Sequence, residues 1–150
     1  MAQSLSRINV HLIFSTKNRE PILGDDVRED LHSYMATVLQ NLESPCVLIN
    51  SVADHVHVLF ELSRKLALSR AVEDIKKASS KWIKTQGTVP GRFSWQAGYG
   101  AFAVSESNVG EVRRYIEGQK EHHRKVSFQE EFLAFLKRHN VPYNEKFIWD

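Results

Sequence analysis

The chain has 150 residues, 42% of them hydrophobic and 25% charged, with a formal net charge of +2 at pH 7. That is enough for one domain with its own core, too apolar for disorder, and too nearly neutral for global charge to name a partner. No apolar run approaches the roughly 20 residues that span a bilayer, the first residues lack a basic segment followed by an apolar one, and the single cysteine, Cys46, excludes an internal disulfide; a cytoplasmic protein is expected.

Residues 8–15, rich in Val, Ile, Leu and Phe, predict a first strand. Pro21 and Gly24-Asp25-Asp26 mark a loop and a helix start. Leu31, Tyr34, Met35, Val38, Leu39 and Leu42 then recur at helical spacing until Ser44-Pro45 ends the helix. Residues 46–52 predict a second strand. Ala53-Asp54 is too short for a crossover, so the next strand must pair back as a hairpin. That strand is His55-Val56-His57-Val58-Leu59-Phe60-Glu61-Leu62. A basic amphipathic helix follows over residues 67–85, with Ala71, Ile75, Ala78, Trp82 and Ile83 as its inward stripe. Its region carries Arg64, Lys65, Arg70, Lys76, Lys77, Lys81 and Lys84 against Glu73 and Asp74, either a surface for phosphates or a solvated face.

Gly87, Pro90, Gly91, Gly98 and Gly100 punctuate a loop, and residues 99–105 predict a fourth strand. Asn108 with Glu111 opens a helix that carries Tyr115 and Gln119. Gly118 inside that helix costs about 1 kcal/mol relative to alanine. Ser127 with Glu130 is a second capping box, opening a helix that turns Phe128, Phe132, Phe135 and Leu136 inward. Val141-Pro142 ends it, and Phe147-Ile148-Trp149 is expected to pack back on the body. The order strand, helix, strand, strand, helix, strand matches the split βαβ pattern. The expected fold is α+β: a ferredoxin-like antiparallel sheet with packed helices and a C-terminal helical extension, one domain over residues 1–150.

Alternation on the third strand puts Val56, Val58, Phe60 and Leu62 on a core face and His55 and His57 together on the other, with Leu59 and Glu61. Two neighbouring imidazoles on a rigid strand are a mount for a metal ion. Tyr115 and Gln119, four apart, project from one side of their helix. Two histidines, a glutamine and a tyrosine can hold a metal beside a nucleophile, the outline of a phosphoryl-transfer site. Two imidazoles and an amide oxygen leave positions open on an octahedral ion such as Mg²⁺ or Mn²⁺. Several neighbours have two readings each. Asp54 orients an imidazole or makes the hairpin turn. Glu61 supports the site or is an exposed carboxylate. His122 and His123 extend the site or cap a helix end. Arg92, Phe93 and Trp95 stack on bases or anchor their own loop.

Several segments together carry a resemblance to a known family. They are residues 11–17 (opening with His11 and closing with Lys17), the Asp54-His55-Val56-His57-Val58-Leu59 strand, Trp95-Gln96-Ala97-Gly98-Tyr99-Gly100-Ala101-Phe102, the Tyr115-Ile116-Glu117-Gly118-Gln119 helix, and the stretches Glu121-His122-His123-Arg124 and Ser127-Phe128-Gln129-Glu130-Glu131. In order and spacing these resemble the single-tyrosine HUH transposases of the smallest bacterial insertion sequences. The resemblance implies a single HUH transposase domain that cleaves and rejoins single-stranded DNA at hairpin-flanked element ends. It implies a covalent 5′-phosphotyrosine at Tyr115, a divalent metal (Mg²⁺ or Mn²⁺) held by His55, His57 and Gln119, and a homodimer. The alternative is a catalytically silent regulator, derived from such a transposase, that grips hairpin DNA without cutting it. An RNA-binding ferredoxin-like domain is more distant, because Phe60 lies on the expected core face.

Overall fold

A computed structural model describes residues 2–150. The elements are β1 (Asn9–Ser15), α1 (Asp25–Asn41), β2 (Cys46–Ser51), β3 (His55–Glu61), α2 (Leu68–Thr85), β4 (Gly100–Val104), α3 (Val109–Glu117), α4 (Gln119–His122) and α5 (Phe128–Arg138). The sheet order is β2-β3-β1-β4, with every neighbouring pair antiparallel. This is the expected ferredoxin-like α+β arrangement, followed by a helical extension. Among the described residues no helix is long and apolar enough to cross a membrane.

The two central strands, β1 and β3, sort their side chains strictly by parity. Val10, Leu12 and Phe14 of β1 and Val56, Val58 and Phe60 of β3 point to one face, where α1 supplies Val27, Leu31, Met35 and Leu39 and α2 supplies Ala71, Val72, Ile75 and Ile83. Each fully buried Val, Leu, Ile, Phe or Met side chain among these contributes about 1.5–3 kcal/mol relative to exposure. The buried stripe of α2 differs from the expected one. It runs through Ser79 and Ile83, while Ala78 and Trp82 lie at its margin. Ser79 is tolerated inside because its hydroxyl donates to the Ile75 carbonyl at 2.6 Å and accepts the Trp95 indole N–H at 3.0 Å. Trp82 instead stacks on Tyr34 of α1, ring centres 5.2 Å apart.

The opposite face carries His11 and Ile13 of β1, His55, His57 and Leu59 of β3, and Gly100 and Phe102 of β4. Ile13 stands across from both His57 and Gly100. On this face α5 lays Phe128, Phe132, Phe135 and Leu136 against Ile13 and Phe102, with Tyr115 and Trp149 at the border. The helix starts where its sequence says it should. The Ser127 hydroxyl accepts the Glu130 N–H at 3.2 Å, and the Glu130 carboxylate reaches back to Ser127. Glu130 and Glu131 in the first turn and Lys137 and Arg138 in the last suit the helix dipole. The approach to the sheet is close: a Cβ at Gly100 would stand 2.9 Å from Phe132 Cζ.

One expected helix is two. Gly118 (φ −86°, ψ 13°) leaves the helical basin, so α3 ends at Glu117 and α4 begins at Gln119. The glycine turns the chain beside β2, where Asn50 Nδ2 donates to the Ile116 carbonyl at 2.7 Å.

Candidate metal and nucleophile site

His55 and His57 sit side by side on β3 with no exposed surface. The strand fixes their backbone, and neighbours fix their rings. Asp54 Oδ1 lies 2.7 Å from His55 Nδ1, which is the orienting role left open for Asp54. On the adjacent strand His11, 1% exposed, places its Nε2 2.8 Å from His57 Nδ1. Across the gap Glu131 enters from the first turn of α5. Its Oε1 is 3.3 Å from His55 Nε2, 2.9 Å from His57 Nε2 and 3.2 Å from His123 Nε2. His55, His57, His123 and Glu131 thus offer one ligand atom each within 4.8 Å of one another, a grouping able to hold a metal ion.

The other oxygen of Glu131 faces the tyrosine. The Tyr115 hydroxyl donates to Glu131 Oε2, and His122 Nε2 stands 3.3 Å from both that oxygen and the phenol. One carboxylate therefore joins the imidazole pair to the phenol. Gln119 is buried close by. Its amide Nε2 donates to the Tyr115 carbonyl at 3.4 Å, and its Oε1 is the one buried side-chain polar atom among the described residues with no hydrogen-bond partner. The break at Gly118 leaves Tyr115 and Gln119 in contact but on separate helices.

Electrostatics follow from this packing. Burial alone would raise the Glu131 carboxyl, but the bonds from His123, His55 and His57 outweigh it and hold the group well below the usual carboxylate range. Burial, then the bond and the charge of Glu131, push the Tyr115 phenol well above its ordinary value of 10; Gln119 and Arg138 pull weakly the other way. Burial opposes a charge on His55, yet Asp54 and Glu131 prevail and raise it. Burial prevails at His57 and lowers it despite Glu131. Burial, with His57 beside it, takes His11 down to about 3, so that ring is neutral.

The remaining candidates fall outside the site. Glu61, further along the strand, pairs with Arg7 at 3.5 Å. Phe93 and Trp95 are core residues packed edge-to-face at 4.9 Å, anchors of their loop rather than exposed stacking platforms. Lys76 of the basic helix turns inward and donates to the Gln96 and Gly98 carbonyls at 2.8 and 2.7 Å, while Lys77, Lys81 and Lys84 stay exposed. Arg113, Arg114 and Lys120, the cations nearest Tyr115 in sequence, are exposed as well; the cation that bears on the phenol is Arg138 of α5. It lines a cleft of about 210 Å³ with His11, Glu111, Val112, Tyr115 and Phe135, which opens the tyrosine to solvent.

Sequence reasoning missed His11 and Glu131. Glu131 had a signal: at spacing Phe128, Glu131, Phe132, Phe135 it is the charged residue on an otherwise apolar helix face. His11 had one only after β1 is known to neighbour β3, for then it shares a face with His57.

Comparison with known proteins adds four findings. The family model described as "Transposase IS200 like" matches residues 4–119. The ISDra2 transposase TnpA of Deinococcus radiodurans is 24% identical over 118 residues, covering 75% of this chain and 84% of that protein. A candidate transposase from Deinococcus radiodurans R1, solved by crystallography, superposes with a TM-score of 0.62 at 23% identity over 79% of this chain and 98% of its own. A REP-associated tyrosine transposase, solved bound to a REP hairpin, superposes at 0.58 with 15% identity over 84% of this chain and 76% of its own. His122, His123 and Glu131 lie beyond the segment that the family model matches.

Proposed function

The chain belongs to the IS200-like transposase family, and from that premise we propose that it cuts and rejoins single-stranded DNA at hairpin-flanked ends of a mobile element. Tyr115 is the proposed nucleophile, and His55, His57 and Gln119 the proposed ligands of a divalent ion, Mg²⁺ or Mn²⁺. The observation that carries the reading is the shared carboxylate: Glu131 accepts the Tyr115 hydroxyl while standing 2.9 Å from His57 Nε2, so phenol and imidazole pair occupy one site. The orphaned Gln119 Oε1 fits a cation ligand waiting for its ion. When bound, such an ion supplies charge neutralisation at the non-bridging phosphate oxygens.

The chain's own groups do the rest. The Tyr115 oxygen attacks phosphorus and gives up its proton. The 3′ oxygen leaves as a hydroxyl, and the 5′ phosphate stays esterified to the phenol. Because an ester replaces an ester, a free 3′-OH can reverse the step on another strand without an external energy source. Before attack, Glu131 Oε2 holds the phenolic proton in place. Arg138, on the solvent-open cleft beside Tyr115, is suited to meet the phosphate. The hairpin-bound relative supports folded single-stranded DNA as the partner, and the resemblance implies a homodimer.

The test is an adduct assay. Full-length protein is incubated with labelled single-stranded hairpin DNA and Mn²⁺, and a covalent protein–DNA species is sought on a denaturing gel. Wild type should give it and Tyr115→Phe should not; an adduct undiminished by that substitution overturns the assignment. One observation favours a second reading, a silent hairpin-binding regulator: both imidazoles lack any exposed surface and Glu131 stands directly against them. That reading expects hairpin binding by wild type with no adduct under any divalent ion.

A further inference from the structure

We propose that His123 and Glu131, two residues outside the family-matched segment, are direct ligands of the divalent ion alongside His55 and His57, which makes the site selective for a transition-metal ion over Mg²⁺. The inference rests on the metal dependence proposed above and is independent of the role given to Tyr115.

The warrant is a convergence of ligand atoms from four side chains on one buried spot. His55 Nδ1 lies 2.7 Å from Asp54 Oδ1, and His123 Nδ1 lies 2.6 Å from the Val126 carbonyl oxygen. With their Nδ1 atoms engaged by these oxygens, both rings turn their Nε2 atoms inward as ligand atoms. Those two Nε2 atoms are 3.0 Å apart. They point at the same atom, Glu131 Oε1, from 3.3 and 3.2 Å, and His57 Nε2 joins them at 2.9 Å. The side chains of His55 and His57 are 0% exposed, that of Glu131 1% and that of His123 10%, so the converging atoms are largely shielded from solvent. Three imidazole nitrogens and one carboxylate oxygen converging in this way make up the donor set of a cation site.

The spacing fits a cation larger than a proton. Ligand atoms bonded to a metal at roughly 2.0–2.2 Å sit about 3.0–3.5 Å from one another along the edges of an octahedron or tetrahedron. The separations of 2.9, 3.0, 3.2 and 3.3 Å fall at or close to that range. The rings are also braced as ligands are: Asp54 and the Val126 carbonyl hold the outer nitrogens of His55 and His123, and His11 meets that of His57 at 2.8 Å. His11 Nε2 serves as donor or acceptor by changing tautomer, so it supports His57 with or without the ion. Three imidazoles and one carboxylate, added to the Gln119 amide oxygen proposed above, suit Zn²⁺ or Mn²⁺, whereas Mg²⁺ prefers an all-oxygen set.

The experiment uses the full-length protein without DNA. Zn²⁺, Mn²⁺ and Mg²⁺ are titrated by calorimetry, and X-ray absorption on the zinc-loaded protein counts imidazole ligands by their multiple scattering. The expected results are binding of Zn²⁺ at least about 100-fold tighter than Mg²⁺, three imidazoles in wild type, two in His123→Gln, and Zn²⁺ affinity lowered about tenfold or more in Glu131→Gln. Two imidazoles in wild type overturn the inference, a result that does not depend on any variant folding. So does Glu131→Gln that binds as tightly as wild type while keeping its circular dichroism. A wild type that takes up no divalent ion overturns both this inference and the metal dependence on which it rests. Two imidazoles alone leave the Tyr115 adduct assay and its reading untouched.

Discussion

Replacing Gly100 by alanine measures how tightly α5 is held to the imidazole face. The new methyl would stand 2.9 Å from Phe132 Cζ, 3.0 Å from Phe132 Cε2 and 3.2 Å from Phe102 Cε2. Ordinary carbon contacts need about 3.5 Å or more, so the Phe132 ring must retreat by roughly half an ångström. It has little room, being packed against Phe128 at 5.4 Å and Trp149 at 6.0 Å between ring centres. Overpacking of this kind costs about 1–3 kcal/mol. Alanine gains back about 0.4–1 kcal/mol by restricting the unfolded chain, which leaves a net loss of about 1–2 kcal/mol. Urea denaturation of wild type, Gly100→Ala, Phe132→Leu and the double variant reads this directly. Because leucine removes the ring edge that the methyl strikes, the double variant should be more stable than the sum of the single losses by about 0.5 kcal/mol or more. Strict additivity, or a Gly100→Ala protein as stable as wild type, would refute the close approach of α5 to β4.

Asp54→Asn keeps the hairpin turn but removes the negative charge behind His55 Nδ1, leaving only a weaker neutral acceptor, so Zn²⁺ affinity should fall about tenfold or more with circular dichroism unchanged; calorimetry showing wild-type affinity would mean that Asp54 only makes the turn. His32, bonded through Nε2 to the Ser51 hydroxyl at 2.7 Å, is lowered from 6.5 to about 4 by burial and then by Arg28. Between those two values the unfolded chain binds the proton and the folded ring does not, so this residue withdraws stability as pH falls through that window. Urea midpoints at neutral and mildly acidic pH should therefore show His32→Gln gaining on wild type as the solution is acidified, and a difference that stays constant with pH would contradict the assignment.

The sheet was legible because its code is local. Alternation in His55-Val56-His57-Val58 sets two faces whatever lies above them, and the two-residue link Ala53-Asp54 permits only a hairpin. The Ser127–Glu130 box likewise announced the start of α5. The content of the site was less legible, because its parts are joined across sequence separations that no period encodes. Glu131 meets His57 across 74 positions and His11 meets it across 46. Gly118 reads in the sequence as a costly residue inside one helix, yet the chain turns at it beside β2, where Asn50 bonds the Ile116 carbonyl. The inward stripe of α2 was misplaced at Ala78 and Trp82 because a serine at position 79 reads as polar until its partners, Ile75 and Trp95, are in view.

The roof over the imidazoles is made last. The strands that bear His11, His55 and His57 are complete by Val104, whereas His123, Glu131 and the phenylalanines of α5 follow them in the chain. Until α5 docks, Ile13 and Phe102 of the sheet therefore lack their cover beside the imidazoles. Such a nascent surface invites stray contacts. Cover for the imidazole face therefore waits on the docking of the last helix, α5.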